Sequence, residues 1–242
     1  MINYQEILTV PGLISLLTLS VLEVVLGIDN VIFIAIVATK LPKKEQAKAR
    51  AIGLSLALIF RVILLFSISW IMSLKDPFFY IVDFGVTGRD IILFGGGIFL
   101  LYKTSIEIFE KIYGAKEVTK EHKSLTLRGA ILQIVFIDVV FSFDSILTAV
   151  GLVTNVLLMI LAVVIAMIFM LLTSGWVSEF INKHPTIKML ALAFLILIGF
   201  VLILDSLHLH IDKAYVYAAL GFSIMVEMLN MSYRSNSHKR EH

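Results

Sequence analysis

Two eight-residue stretches of this 242-residue chain place acids where acids are costly. Glu23-Val24-Val25-Leu26-Gly27-Ile28-Asp29-Asn30 and Asp138-Val139-Val140-Phe141-Ser142-Phe143-Asp144-Ser145 share one pattern: an acid, a second acid six positions later, then a small polar residue. Each stretch lies inside a long apolar run, where an unpaired ionised carboxylate costs at least ~2.5 kcal/mol. Four such groups demand cations or protons. Carboxylate, amide and hydroxyl oxygens are the ligands of hard ions, so Glu23, Asp29, Asn30, Asp138, Asp144 and Ser145 read as a candidate site for Mn²⁺, Mg²⁺ or Ca²⁺. Ligand type does not rank these three, and Na⁺ or protons fit nearly as well. A site of soft or nitrogen ligands at this depth is not expected, because the chain has no Cys and its six His fall in loops or the tail. Arg61, about ten residues into the second apolar run, is at a depth to neutralise one of the acids. Glu227 and Asn230, three apart and so on one helix face, are expected either to complete the site or to join a helix-packing network.

The elements that must position these groups are membrane helices. Hydrophobic residues make up 59% of the chain and charged ones 16%, with a mean hydropathy of +0.97, which excludes an ordinary water-soluble domain. Seven windows approach the ~20 apolar residues that cross a bilayer: 13–38, 51–72, 91–102 with its flanks, 127–150, 156–180, 189–207 and 214–231. Of the twenty Lys and Arg, sixteen lie in segments 40–50, 103–128, 183–188 and the tail after Met231, all on one side of this arrangement. The positive-inside rule then puts the N-terminus outside and the C-terminus in the cytoplasm. The first window is too long for a cleaved signal core, and no Lys or Arg precedes it. The expected fold is all-α: a polytopic membrane protein of seven transmembrane helices.

The echo between the signatures extends along the chain. Ile59-Phe60 matches Ile168-Phe169, and Gly97 with its apolar run to Lys103-Thr104 matches Gly199 and its run to Asp205-Ser206. Two three-helix units (13–108 and 127–207) are therefore expected within one domain, with a seventh helix at 214–231. Because the chain enters the fourth span from the side opposite to the first, the repeat is inverted, an arrangement that puts binding sites near mid-membrane at the repeat interface. Both acid pairs lie about ten and sixteen residues into their spans, about 15 and 24 Å from opposite faces, so inversion brings them level. Positions six apart do not share a regular helix face, so Gly27 is the expected weak point of the first span, and Ser142 its partner, able to bond back to a carbonyl. Asp205, beside Ser206 at a span end, reads as an interfacial charge.

The signatures, with Phe33 after the first and Phe222-Ser223, Glu227 and Asn230 in the last span, resemble those of the TerC family, integral membrane proteins named for tellurium resistance. The resemblance covers nearly the whole chain. It implies membership of an exporter superfamily and, from several bacterial relatives, Mn²⁺ efflux, with Glu23, Asp29, Asn30, Asp138, Asp144 and Ser145 as metal-site residues. The expectation is thus secondary-active export of a divalent cation, most consistently Mn²⁺, from the plasma membrane, with no enzyme activity. Its partners are lipid and the cation, not nucleic acid, and the cytoplasmic loop 103–126 is where a protein would dock. With no nucleotide-binding sequence, a proton or ion gradient or the membrane potential would drive transport. Competing readings are a carrier of another cation, a non-transporting membrane subunit, a receptor, and an intramembrane aspartyl protease. The protease motifs Tyr-Asp and Gly-x-Gly-Asp are missing, and the last span lacks the Lys of a retinal Schiff base.

Overall fold

The computed structural model describes residues 9–67, 77–81, 84–113, 125–152 and 155–238. In chain order these form α1 (Val10–Leu26), α2 (Ile28–Thr39), α3 (Lys43–Phe66), β1 (Pro77–Ile81), β2 (Phe84–Thr87), α4 (Gly88–Tyr113), α5 (Leu127–Leu152), α6 (Val156–Lys183), α7 (Pro185–Ser206) and α8 (Lys213–His238). Five helices are long and apolar enough to cross a membrane, or six when the bent pair α1 and α2 counts as one span. With 26 residues, or about 39 Å, α5 also has the length. Leu13, Leu17, Leu172, Trp176, Phe200 and Phe222 each expose more than half of their surface, as residues facing lipid do. The chain is a helical, polytopic membrane protein.

One element departs from the all-helical expectation. Between α3 and α4 the chain forms an antiparallel hairpin, pairing Phe79 with Val86, Tyr80 with Gly85 and Ile81 with Phe84. The sequence there opens on Pro77 and runs through aromatic and β-branched residues to Gly85, a composition that favours strand over helix. The following helix starts on a capping box: the Thr87 amide donates to Asp90 Oδ2 at 2.9 Å, and the Asp90 amide to Thr87 Oγ1 at 3.1 Å.

The helices divide between two compact units. The first holds α1, α2, α3, the hairpin, α5 and α6 to Phe180. Its centre is α2, buried without interruption from Asp29 to Ala38, as a helix apolar all round must be. Around it α3 and α5 pack closely, since a Cβ on Gly53 would lie 2.8 Å from Ile134 Cγ2. The second unit holds α4 from Phe94, α7 and α8. There α4 and α7 meet at the two glycines that correspond in the repeat, and a Cβ on Gly97 would sit 2.8 Å from the Gly199 carbonyl oxygen. Backbone cannot yield as a side-chain tip does. Gly97→Ala is therefore expected to cost about 1–3 kcal/mol, read as a lower melting temperature in detergent. Gly95→Ala, two residues away with nothing within 4 Å, is the neutral control.

At the end of α7, His208 takes a left-handed backbone (φ 62) and the Leu209 amide reaches back to the Leu204 carbonyl at 2.9 Å, closing the helix. Asp205, at the span end where the sequence placed an interfacial charge, is buried. It is 3% exposed, and its Oδ1 lies 3.3 Å from His210 Nδ1.

Candidate functional site

The first signature is split by the backbone. Thr9 caps α1, accepting the Gly12 amide at 3.1 Å, and α1 ends at Leu26. Gly27 follows and α2 resumes at Ile28, the two axes meeting at 42°. The glycine is required by a close approach: a Cβ there would lie 2.7 Å from Met170 Sδ of α6 and 3.0 Å from the Glu23 carbonyl oxygen. The break changes the chemistry of Asp29. Mid-helix in an unbroken span it would be a bare charge in hydrocarbon; in the first turn of α2 its Oδ1 accepts the Asn30 amide at 3.0 Å and lies at the positive end of the helix dipole. The second signature lies in α5, which runs unbroken from Leu127 to Leu152. Here Ser142 Oγ bonds back to the Asp138 carbonyl, as its sequence position suggested, and Ser145 Oγ donates to the Ser142 carbonyl at 3.2 Å.

The two signatures meet in the first unit, and Arg61 of α3 lies between them. Its Nε and Nη2 donate to Asp138 Oδ2 and Oδ1, each at 3.0 Å, and its Nη1 donates to Glu23 Oε2 at 3.1 Å. Asn30 Nδ2 adds a bond to Asp138 Oδ1 at 3.2 Å, and Ser142 Oγ one to Oδ2 at 3.2 Å. A carboxylate has about four lone-pair positions, and at Asp138 three are taken by N–H donors, while the single Ser142 hydroxyl hydrogen is shared with the Asp138 carbonyl. Glu23, Asp29, Asn30, Arg61, Asp138, Ser142 and Ser145 are all buried, with Asn30 and Asp138 only 1% exposed. Among the described residues no group bonds Asn30 Oδ1, which leaves a buried oxygen beside the Asp138 carboxylate.

This geometry departs from the expectation in one respect. Arg61 pairs with two acids rather than one. Among the described residues no three His, Asp or Glu converge on a common point where a metal ion would sit. The guanidinium stands between Glu23 and Asp138 instead. Asp144 lies on α5, and its side chain is outside the described residues. Glu227 and Asn230 belong to the second unit: Glu227 is half-buried and Asn230 exposed. Of the loop at 103–126, residues 114–124 lie outside the described part.

Met170 of α6 was not singled out from the sequence. It is 1% exposed and closes on the helix break at Gly27. The signal was available one position beyond the noted echo: Ile59-Phe60-Arg61 aligns with Ile168-Phe169-Met170. Glu23 also borders a small, otherwise apolar pocket lined by Leu19, Leu65, Ile146, Met159, Ala162 and Val163.

Comparison with known proteins finds relatives named as inner membrane proteins. The chain is 48% identical over 228 residues to the UPF0053 inner membrane protein YoaE of Escherichia coli K12, a match covering 92% of this chain but 43% of that protein. It is 48% identical over 218 residues to the inner membrane protein YgdQ of the same organism, covering 90% of this chain and 92% of the relative. A UPF0053 protein of Haemophilus influenzae is 46% identical over 222 residues, covering 91% and 94%. The chain thus spans less than half of YoaE and nearly all of the other two. No solved structure matches it. The sequence profile of the integral membrane protein TerC family matches residues 8–242, and the chain belongs to that family.

Proposed function

We propose that this protein is a secondary-active exporter of a divalent cation, with Mn²⁺ the ion most consistent with its family resemblance. One observation carries the reading: the two signatures converge on a buried set of oxygen groups, Glu23, Asp29, Asn30 and Asp138, at the break of a membrane helix. Carboxylates in that position are expensive, and their use is transient charge compensation by a passing cation. The break supplies helix-terminal groups of the kind that hold ions in carriers with interrupted helices. Asp29 and Asp144 are the proposed direct ligands, Glu23 and Asp138 further ligands or proton carriers, and Asn30 and Ser145 neutral oxygen donors.

The proposed architecture is seven spans, with inverted repeats at 13–108 and 127–207 and a closing helix at 214–231. The Gly97 and Gly199 contact supports it, because residues equivalent in the proposed repeat pack against one another. The N-terminus is proposed to face outward and the C-terminus the cytoplasm, in the plasma membrane, in line with relatives named as inner membrane proteins. Energy would come from a proton gradient, since carboxylates that share a site hold protons more tightly than isolated ones.

A second reading, a membrane subunit that moves no ion, is favoured by the way Arg61 already neutralises Glu23 and Asp138. Mn²⁺ flux in proteoliposomes, with Mg²⁺, Ca²⁺ and Zn²⁺ as competitors, separates the two. Wild-type flux that vanishes in Asp29→Asn and Asp144→Asn, with both variants still monodisperse in detergent, is the expected result. Equal leakage in all three samples would favour the subunit.

A further inference from the structure

Resting on that reading, we infer that Arg61 is a tethered counter-cation: it occupies the carboxylate pair when no substrate is bound, and the metal ion displaces it. The bonds it makes are those a metal would need. Its fork covers both oxygens of Asp138, and the same guanidinium reaches Glu23 Oε2 at 3.1 Å. With Asn30 bonded to Oδ1 and the guanidinium fork across both oxygens, Asp138 cannot offer both oxygens to a cation until Arg61 leaves. Metal and guanidinium therefore compete for one set of oxygens.

Two further observations fit a site that exchanges its cation and not a permanent strut. Asn30 Oδ1, in a side chain 1% exposed, has no hydrogen-bond partner among the described residues, yet its own amide nitrogen is bonded to Asp138. A fixed network closes such an oxygen; a site awaiting a ligand leaves it for the ligand. The repeat is also broken at one place. Glu23 and Asp138 are equivalent acids, but the positions equivalent to each other on the next helices are Arg61 and Met170. Met170 is uncharged and packs at Gly27, so one cation serves both acids. Two permanent struts would call for two cations. One movable charge that bridges the pair when the site empties needs only one. Its use is the return step of the cycle: a site stripped of metal would have to reorient with unpaired carboxylates in hydrocarbon, whereas a site refilled by Arg61 reorients with both carboxylates paired and less net charge exposed.

The test compares the wild type with Arg61→Lys and Arg61→Gln at equal density, using Mn²⁺ as probe. Calorimetry in detergent reads binding. Proteoliposomes read net Mn²⁺ flux into Mn²⁺-free medium and, separately, exchange of labelled Mn²⁺ with unlabelled Mn²⁺ on both sides. Both variants are expected to bind Mn²⁺ more tightly, by about tenfold in Arg61→Gln. Net flux should fall by at least about tenfold while exchange falls by less than about twofold, because exchange never requires the empty site to turn. Arg61→Lys keeps the buried charge, so it decides the matter if Arg61→Gln does not fold. Weaker Mn²⁺ binding in Arg61→Lys, or net flux and exchange falling by one common factor, would overturn the proposal and leave Arg61 a structural strut. A wild type that neither binds nor carries Mn²⁺, Mg²⁺ or Ca²⁺ would overturn the exporter reading and the proposal with it, before any variant is compared.

Discussion

Asp138→Asn is expected to cost about 3–5 kcal/mol of stability, and to abolish any flux that depends on the signatures. The acid accepts from Arg61 twice and from Asn30, so three N–H donors converge on one buried carboxylate, with the Ser142 hydroxyl hydrogen shared between it and the Asp138 carbonyl. An amide has the same shape but one oxygen; its nitrogen would face N–H donors and repel them. The larger cost is left on Arg61, whose buried charge would keep Glu23 but lose its bidentate partner. Thermal unfolding in detergent measures the loss. The compensating variant Asp138→Leu with Arg61→Met removes both charges, and is expected to recover a substantial part of the stability but none of the flux. Recovery of stability without function would identify the ion pair as something the protein keeps for its work. If the double variant were as unstable as Asp138→Asn, the shape of the network would outweigh its charge.

Gly27→Val is the second large effect. The Cβ alone would lie 2.7 Å from Met170 Sδ and 3.0 Å from the Glu23 carbonyl oxygen, and the β-branched carbons add to that crowding. The thioether is the flexible end of a side chain and can move. The carbonyl belongs to the last turn of α1 and cannot, so the chain must alter the 42° bend that places Asp29 in the first turn of α2. Misplacement of a ligand by about 1 Å costs up to roughly a hundredfold in well-aligned sites, and a loss of flux of that order is expected. Gly27→Ala, with the smaller side chain, should lose less, and adding Met170→Ala should restore part of it by clearing the sulfur. If Gly27→Val transported normally, the bend would be dispensable and the weight would shift to the acids themselves.

These two effects mark the boundary between what one chain of letters determines and what packing decides. The membrane class was determined by composition, because backbone in hydrocarbon must satisfy its own hydrogen bonds and only long apolar helices do so at this hydropathy. The acid pairs were legible because charge inside an apolar run is costly at any place in any fold, so Glu23, Asp29, Asp138 and Asp144 stood out before any contact was known. Gly27 was legible as a weak point for a local reason, the lack of a side chain, and α1 does end there. The hairpin was overlooked because its strands are only five and four residues long, and an apolar run that short does not distinguish strand from helix by period.

What the sequence left open were the long-range partnerships. Depth arithmetic brought Arg61 level with the acids, but the bidentate grip on Asp138 and the reach to Glu23 depend on how α3 is rotated against α5 and α1. Rotation is set by packing, here by Gly53 closing on Ile134, and no pattern along one helix encodes the angle at which another meets it. Met170 was hidden for the same reason: a buried methionine on an apolar helix looks like any other until the groove it fills is known. The kinds of charge in the membrane and their depth were therefore written in the sequence. Which charge neutralises which was decided by tertiary packing, because only contact geometry converts a common depth into a shared hydrogen bond.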